Sequence, residues 1–152
     1  MKAKALIYSR VSTEKQNNNS QIEELKDYAN YKKYEIVEVY EDIASGKSEA
    51  KNRVGFKRLL EYIDENQIEH ILIWELSRLG RNLLDVLTNI NDLTAKKINI
   101  YSKKENLNTL NEDKSPNPNS TLILNLMGSV AEYERSTIKE RTTRGLLRTK
   151  KN

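Results

Sequence analysis

The chain has 152 residues, of which 37% are hydrophobic and 32% charged, with a net charge of +4. This profile is typical of one soluble domain. No apolar run is long enough for a membrane helix, and the first residues do not resemble a signal peptide, so we expect a cytoplasmic protein without a membrane partner. The chain has no Cys and one His, which excludes thiol nucleophiles, disulfides and metal sites built from thiolates or clustered histidines.

The basic excess lies at the carboxyl terminus. Residues 135–152 carry seven basic side chains and one acidic side chain, a net charge of +6, whereas the remaining residues include 19 basic and 21 acidic side chains. A local excess of this kind favours a polyanion such as nucleic acid. A solvated helix end with a lysine-rich tail explains the same charges equally well.

Short segments rich in Ile, Val, Leu and Tyr alternate with longer amphipathic segments. The predicted strands are residues 3–9, 35–40, 70–74 and 98–102. The predicted helices are residues 21–31, with Ser20 as the cap, then 55–66 and 83–94. This alternation predicts an α/β domain whose sheet is largely parallel.

The last third of the chain follows a different pattern. Residues 105–119 contain both prolines and five asparagines, which predicts an irregular connection. Residues 120–150 contain no Pro and predict a helix of roughly 30 residues and about 45 Å, too long to lie across a domain of this size. The first half of this helix is apolar and the second half basic, which indicates protein contact followed by polyanion contact. Packing on the chain's own sheet is the alternative, and it leaves the basic half unexplained.

Arginine is used sparingly before residue 135, where the chain has 14 Lys and five Arg. Arginine rather than lysine indicates planar, bidentate recognition of phosphate or carboxylate. Arg10 follows the first predicted strand, whereas Arg78 and Arg81 follow the third and lie on one side of any helical turn. Because ligands bind at the carboxyl ends of parallel strands, we expect these arginines to converge.

Ser12 stands beside Arg10 at the end of the first strand. Alternation places Tyr8, Arg10 and Ser12 on one side of an extended chain. Taken alone, Ser12 is most simply a cap for the following turn. The nearby arginines, with Ser45 and Ser77 after the next two strands, favour attack on a phosphodiester, because guanidinium groups stabilise its transition state.

Four motifs resemble, in order, the signatures of the serine recombinase family, the resolvases and invertases. They are YSRVST at 8–13, DIASG at 42–46, LSRLGR at 76–81, and VAEYER at 130–135 continuing to IKERT at 138–142. The resemblance implies a three-layer resolvase-like α/β catalytic domain, residues 1–119, with a largely parallel sheet of four to five strands. A long helix for dimerisation and DNA contact, residues 120–152, would follow it.

The resemblance also implies the chemistry of a site-specific DNA recombinase that uses no metal or other cofactor. Ser12 matches the nucleophile, which forms a 5′-phosphoserine link and frees a 3′-hydroxyl. The other catalytic positions match Arg10, Arg78, Arg81 and Arg53, and the supporting positions match Tyr8, Gln16, Ser45 and Ser77.

For the long helix, the resemblance implies a homodimer on double-stranded DNA and a tetramer on synapsis. Many family members also require accessory proteins, and the resemblance therefore includes DNA-bending proteins among the expected partners of this chain. The expected dimer residues are Leu122, Leu126, Met127, Val130 and Ile138. The expected DNA contacts are Arg141, Arg144, Arg148, Lys150 and Lys151.

The chain departs from the family pattern in two places. Ser77 stands where resolvases commonly have Asp, so no carboxylate at this position can act as acid, base or arginine partner. The chain also stops at Asn152, where small family members continue into a helix-turn-helix module. We therefore expect the site-reading domain to be absent and DNA to be held mainly through phosphate contacts.

Two alternatives remain open at this point. One is the catalytic domain of a serine transposase or of a large integrase. The other is a catalytically degenerate or non-enzymatic DNA-binding oligomerisation domain. His70 begins a strand and is interpreted as structural, and Tyr28, Tyr31 and Tyr34 as surface or packing residues.

Overall fold

The computed structural model describes residues 1–11, 15–43 and 54–151, with side chains for all of these except 15–17 and 146–151. The predicted alternation of strands and helices is confirmed. The strands are β1 (Lys4–Val11), β2 (Glu35–Ile43), β3 (His70–Ile73), β4 (Asn99–Ser102) and β5 (Leu107–Asn108). The helices are α1 (Lys15–Lys32), α2 (Val54–Glu65), α3 (Leu83–Ala95) and α4 (Pro118–Lys151), and a 3-10 turn spans Leu76–Leu79.

The five strands form one sheet in the order β2-β1-β3-β4-β5. The four longer strands are parallel, and β5 pairs antiparallel with β4, so the expected largely parallel sheet is confirmed. The chain places β2 on one side of β1 and then β3 on the other. In open α/β sheets, such a reversal of strand order marks the crevice where ligands bind, outside the carboxyl ends of the strands.

Helices cover both faces of the sheet. Successive side chains of a strand point to opposite faces. In β1, Leu6 and Tyr8 enter the larger core together with residues of α2 and α3 and the first half of α4. Ala5 and Ile7 enter a second core formed with α1. The result is a three-layer domain in which β1 is buried on both sides.

Two predicted helix starts are wrong. Helix α1 begins at Lys15, so Ser20 is exposed inside the helix rather than capping it. Helix α4 begins at Pro118 rather than Ser120, because the Asn117 Oδ1 atom accepts hydrogen bonds from the backbone N–H groups of Asn119 and Ser120. Proline suits the first helical position because the backbone N–H that it lacks has no partner there.

Residues 105–119 are more ordered than the expected irregular connection. They contain β5 and a further bridge between Leu110 and Pro116. Leu107 and Leu110 are buried, and this burial outweighs the local preference of the Asn-rich and Pro-rich sequence for turns. The segment therefore anchors the start of α4 against the edge of the sheet. None of the described helices is apolar over enough of its length to cross a membrane.

Candidate active site at the carboxyl edge of the sheet

Arg10 links the carboxyl ends of β1 and β3, the two strands between which the strand order reverses. It lies near the end of β1, and its Nη1 atom donates a 3.0 Å hydrogen bond to the backbone oxygen of Gly80, beyond β3. Gly80 itself packs tightly, because a Cβ atom there would lie 2.3 Å from the backbone nitrogen of Val86. A side chain at position 80 would therefore push the loop away from α3 and move the acceptor of Arg10.

Arg78 and Arg81 follow β3 but do not share one helical turn. Arg78 lies in the 3-10 turn, which ends at Leu79, and extended Gly80 separates it from Arg81. The Asp85 carboxylate anchors Arg81: Asp85 Oδ2 accepts its backbone N–H at 2.9 Å and lies 3.6 Å from its Nε atom. Asn82 caps α3 immediately after this point by accepting a hydrogen bond from the Asp85 backbone N–H at 2.8 Å.

The three arginines line one cleft of about 470 Å³. Ser77 lies on its wall, and Ile123 and Met127 from α4 supply apolar lining. The predicted convergence of Arg10, Arg78 and Arg81 therefore occurs at the edge where the strand order reverses. A cleft lined by three guanidinium groups is suited to an anion such as a phosphodiester.

Tyr8 supports this edge from inside the core. Its ring is fully buried, and its hydroxyl donates a 2.7 Å hydrogen bond to Asp42 Oδ2 at the end of β2. The same carboxylate accepts the backbone N–H groups of Gly55 and Phe56 at 2.7 and 2.9 Å, which caps α2. Asp42 stands only within a motif in the sequence, and its role as a cap could not be predicted there, because it lies 13 and 14 residues before the N–H groups that it accepts.

A second polar network lies on the α1 side and escaped the sequence analysis. The Ser9 hydroxyl donates to Asn18 Oδ1, and Asn18 Nδ2 donates to Glu41 Oε1 at 3.1 Å. Ser9 and Asn18 are both buried. Buried polar side chains need hydrogen-bond partners. The three partners here come from β1, α1 and β2, so no short stretch of sequence contains the network.

Two acidic side chains beside the arginines were also missed. Glu75 Oε1 lies 3.2 Å from Arg78 Nε, and Glu105 Oε1 accepts the backbone N–H of Leu76 at 2.9 Å. Glu105 also accepts a hydrogen bond from the Ser102 hydroxyl. The turn between β4 and β5 thus holds the segment that carries Arg78.

Several predicted site residues fall outside this description. Ser12, Ser45 and Arg53 lie outside the described residues, as do the side chains of Gln16, Arg148, Lys150 and Lys151. The described part of the predicted catalytic set therefore consists of Arg10, Arg78 and Arg81.

Helix α4 presents two apolar faces in its first half. Ile123, Leu124 and Met127 pack against the larger core, so Met127 contacts its own domain. The other predicted dimer residues, Leu122, Leu126, Val130 and Ile138, are exposed by half or more of their surface. Tyr133 is also exposed and shares a face with Leu122, Leu126 and Val130 at helical spacing. Arg141 and Arg144 are exposed in the basic half.

The opposite edge of the sheet holds the single histidine. The His70 ring stacks on Tyr34 with centroids 3.9 Å apart, and its Nδ1 atom lies 3.2 Å from Asn99 Nδ2. Burial disfavours the charged form of both rings. It lowers the pKa of His70 and raises the pKa of Tyr34 to about 12. Tyr28 stacks on Tyr101, and Tyr31 is exposed. These contacts are those of packing residues.

The chain is similar to known proteins over nearly its full length. Residues 5–152 match the family described as resolvase, N-terminal domain. The chain is 34% identical over 138 residues to the transposon Tn552 DNA-invertase BinR of Staphylococcus aureus, a match that covers 91% of this chain and 65% of that protein. It is 35% identical to the Tn552 resolvase of the same organism, with 91% of this chain and 63% of that protein covered. The chain thus spans slightly less than two thirds of the length of these two relatives.

Solved structures show the same similarity in three dimensions. The crystal structure of a resolvase family site-specific recombinase from Streptococcus pneumoniae superposes with a TM-score of 0.80 at 30% identity, covering 99% of this chain and all of that one. The N-terminal catalytic domain of TP901-1 integrase gives a TM-score of 0.68 at 30% identity, covering 88% of this chain and 98% of that one. The family match, the identities and the shared fold agree, and the chain belongs to the resolvase family, whose N-terminal domain it carries.

Proposed function

We propose that this chain is the catalytic domain of a metal-independent serine site-specific DNA recombinase. The observation that carries the proposal is the cleft at the carboxyl edge, which Arg10, Arg78 and Arg81 line together. The relatives of the chain, a DNA-invertase, a resolvase and the catalytic domain of an integrase, support the same activity.

In the proposed reaction, the Ser12 Oγ atom attacks the phosphorus of a DNA phosphodiester. A bond forms between Oγ and phosphorus, and the bond from phosphorus to the 3′ oxygen breaks. The serine loses one proton and the departing 3′ oxygen gains one, which leaves a 5′-phosphoserine and a free 3′-hydroxyl. The arginines stabilise the negative charge of the transition state. The reverse reaction rejoins strands without a nucleotide, because the phosphodiester energy is kept in the serine ester.

The proposed partners are double-stranded DNA and further copies of the chain. The exposed apolar face of α4 supports dimer formation, since apolar residues clustered on one helix face favour burial against a partner. The exposed Arg141 and Arg144 farther along α4 support phosphate contacts. Assembly of two dimers into a tetramer on synapsis follows from the family, and accessory DNA-bending proteins are a further proposed partner.

The test supplies a site-reading module and looks for the covalent intermediate. The chain is fused to a DNA-binding module of known specificity and given DNA with paired target sites in the presence of a chelator. We expect protein joined to the 5′ end of the cut strand in the unmodified fusion, and none in Ser12→Ala, because no other group replaces the nucleophile. Ser20→Ala is the matched control, since Ser20 is an exposed serine on α1.

Each outcome separates the proposal from its alternatives. A conjugate that persists in Ser12→Ala would assign the nucleophile to another residue, and a reaction that stops with the chelator would refute metal independence. DNA binding without any conjugate would favour the non-enzymatic DNA-binding domain.

A further inference from the structure

Ser77 leaves the arginine segment without a carboxylate at the position where resolvases commonly have Asp. Glu75 lies two residues earlier, in extended backbone directly before the 3-10 turn. The structure brings this acidic side chain to Arg78, one of the three cleft arginines. Glu75 therefore has the chemistry that position 77 lacks.

The Glu75 carboxylate lies between two cations. Its Oε1 atom is 3.2 Å from Arg78 Nε, and its Oε2 atom is 3.0 Å from Lys104 Nζ. The Glu75 side chain is 18% exposed and that of Arg78 is 29% exposed. Arg78 Nε itself is buried and has no hydrogen-bond partner among the described residues, so Glu75 acts on it as an ion pair. Both charges are more enclosed than in a typical surface pair, where solvent screens most of the attraction.

The charge of Glu75 is maintained by its surroundings. Burial by itself raises the pKa of the Glu75 carboxyl, but hydrogen bonds from Lys104 and Ser77 and the charge of Arg78 outweigh it and hold that pKa below its usual value. Glu75 is therefore ionised at neutral pH. Ser77 is the residue directly before Arg78 and lines the same cleft, so a carboxylate introduced at position 77 would lie beside the same arginine.

Lys104 is itself held close to Glu75 by the backbone. The N–H groups of Lys103 and Lys104 donate to the backbone oxygens of Ile73 and Trp74 at 3.0 and 2.7 Å. Glu105 from the same turn accepts the N–H of Leu76. These bonds fix the backbone before and after Glu75 against the turn that carries Lys104, while the Lys104 side chain itself is largely exposed.

We propose that Glu75 is a positioning residue that orients the Arg78 guanidinium toward the scissile phosphate and supplies the arginine partner that Ser77 cannot supply. The inference rests on the proposed function, in which Arg78 binds that phosphate. A guanidinium has five N–H groups, and a carboxylate at Nε leaves the four on the terminal nitrogens for a phosphate. Lys104 balances the second carboxylate oxygen, so Glu75 does not draw those four donors away from the cleft.

The experiment measures covalent conjugate formation with the fusion protein at saturating DNA. We expect Glu75→Gln to lower the rate about 10- to 100-fold, since small errors in positioning cost up to about that much, while the dissociation constant for DNA stays unchanged. Glu75→Gln combined with Ser77→Asp should recover most of the rate, because the carboxylate returns to the arginine from position 77. Asp64→Asn is the matched control: it removes the acid of an exposed ion pair with Lys96.

A second measurement is independent of cleavage. The Arg78 Nε–H resonance, observed by ¹⁵N NMR, should shift in Glu75→Gln and stay in place in Asp64→Asn. A resonance that does not move would overturn the inference, whether or not the unmodified protein forms a conjugate. A lack of conjugate in the unmodified protein would instead count against the proposed function. A rate in Glu75→Gln equal to the unmodified rate, or a loss that Ser77→Asp does not repair, would also overturn the inference.

Discussion

Asp42 is a buried acidic residue that links several elements at the carboxyl edge of the sheet. Its two oxygens accept three hydrogen bonds, from the Tyr8 hydroxyl and from the backbone of Gly55 and Phe56, and the side chain is buried. Gly55 allows this close approach, since a Cβ atom there would lie 2.6 Å from the backbone oxygen of Glu41. One carboxylate thus ties β1, β2 and the start of α2 together next to the arginine cleft.

We predict that Asp42→Asn lowers the free energy of unfolding by about 2–3 kcal/mol. The amide replaces one acceptor oxygen with a donor that faces other donors, and a buried donor without a partner is costly. Tyr8→Phe removes one of the three hydrogen bonds and should cost only about 1 kcal/mol. Urea unfolding followed by circular dichroism measures both values. An Asp42→Asn protein as stable as the unmodified chain would show that the capping contacts contribute little.

At the scale of elements, α4 combines packing on its own domain with an exposed apolar face. Ile123, Leu124 and Met127 contact the core, so removing the helix would uncover the domain and would not report on dimer formation alone. Leu122 and Leu126 lie on the other face and are 61% and 59% exposed. Substitutions on that face therefore test association without disturbing the fold.

We predict that Leu122→Glu combined with Leu126→Glu converts a dimer into a monomer. Two carboxylates on an apolar interface would have to be buried without partners, which costs far more than the lost contacts. Analytical ultracentrifugation measures the change, and unaltered circular dichroism shows that the domain is folded. Thr121→Glu combined with Asn125→Glu is the control, because these exposed residues add the same charge to the flank of the same helix. Dimers that persist in the first variant would place the interface elsewhere.

At the scale of the whole molecule, charge is divided between two regions. The body of the chain is slightly acidic and concentrates its few arginines at one cleft, whereas residues 135–152 hold a net charge of +6. The basic region lies on the part of α4 beyond the contacts with the core. Under the proposed function, general attraction to DNA and chemistry at the phosphate therefore belong to different parts of the chain.

We predict that Arg141→Gln combined with Arg144→Gln weakens DNA binding for all sequences alike. Each lost phosphate contact should reduce the slope of log K against log salt concentration by about 0.9. Titration of duplex DNA at several salt concentrations, followed by fluorescence anisotropy, measures the slope. Lys26→Gln, on the opposite face of the sheet, is the control and should leave the slope unchanged. An unchanged slope in the double variant would remove these two arginines from the DNA interface.

Features that depend on neighbouring residues could be predicted from the sequence. Apolar periodicity located the strands and helices, because each element buries one face or one stripe. The sparing use of arginine marked Arg10, Arg78 and Arg81, and the order of four motifs indicated the family. The predicted helix starts were less accurate. The cap of α4 comes from Asn117, and the turns of α1 that precede Ser20 include Asn18, whose side chain bonds to other elements.

The α/β class, the family, the uneven distribution of charge and the arginines of the cleft could all be predicted from the sequence alone. Contacts between residues far apart in the chain could be found only in the three-dimensional fold. Arg10 reaches Gly80 across 70 residues, and Lys104 reaches Glu75 across 29. Periodicity and local chemistry act over a few residues, whereas such contacts depend on the order in which strands pair and on the turn that β5 imposes. Glu75 and Arg78 are three residues apart, so their pairing is a local one that the sequence analysis missed, whereas the contact between Glu75 and Lys104 required the fold.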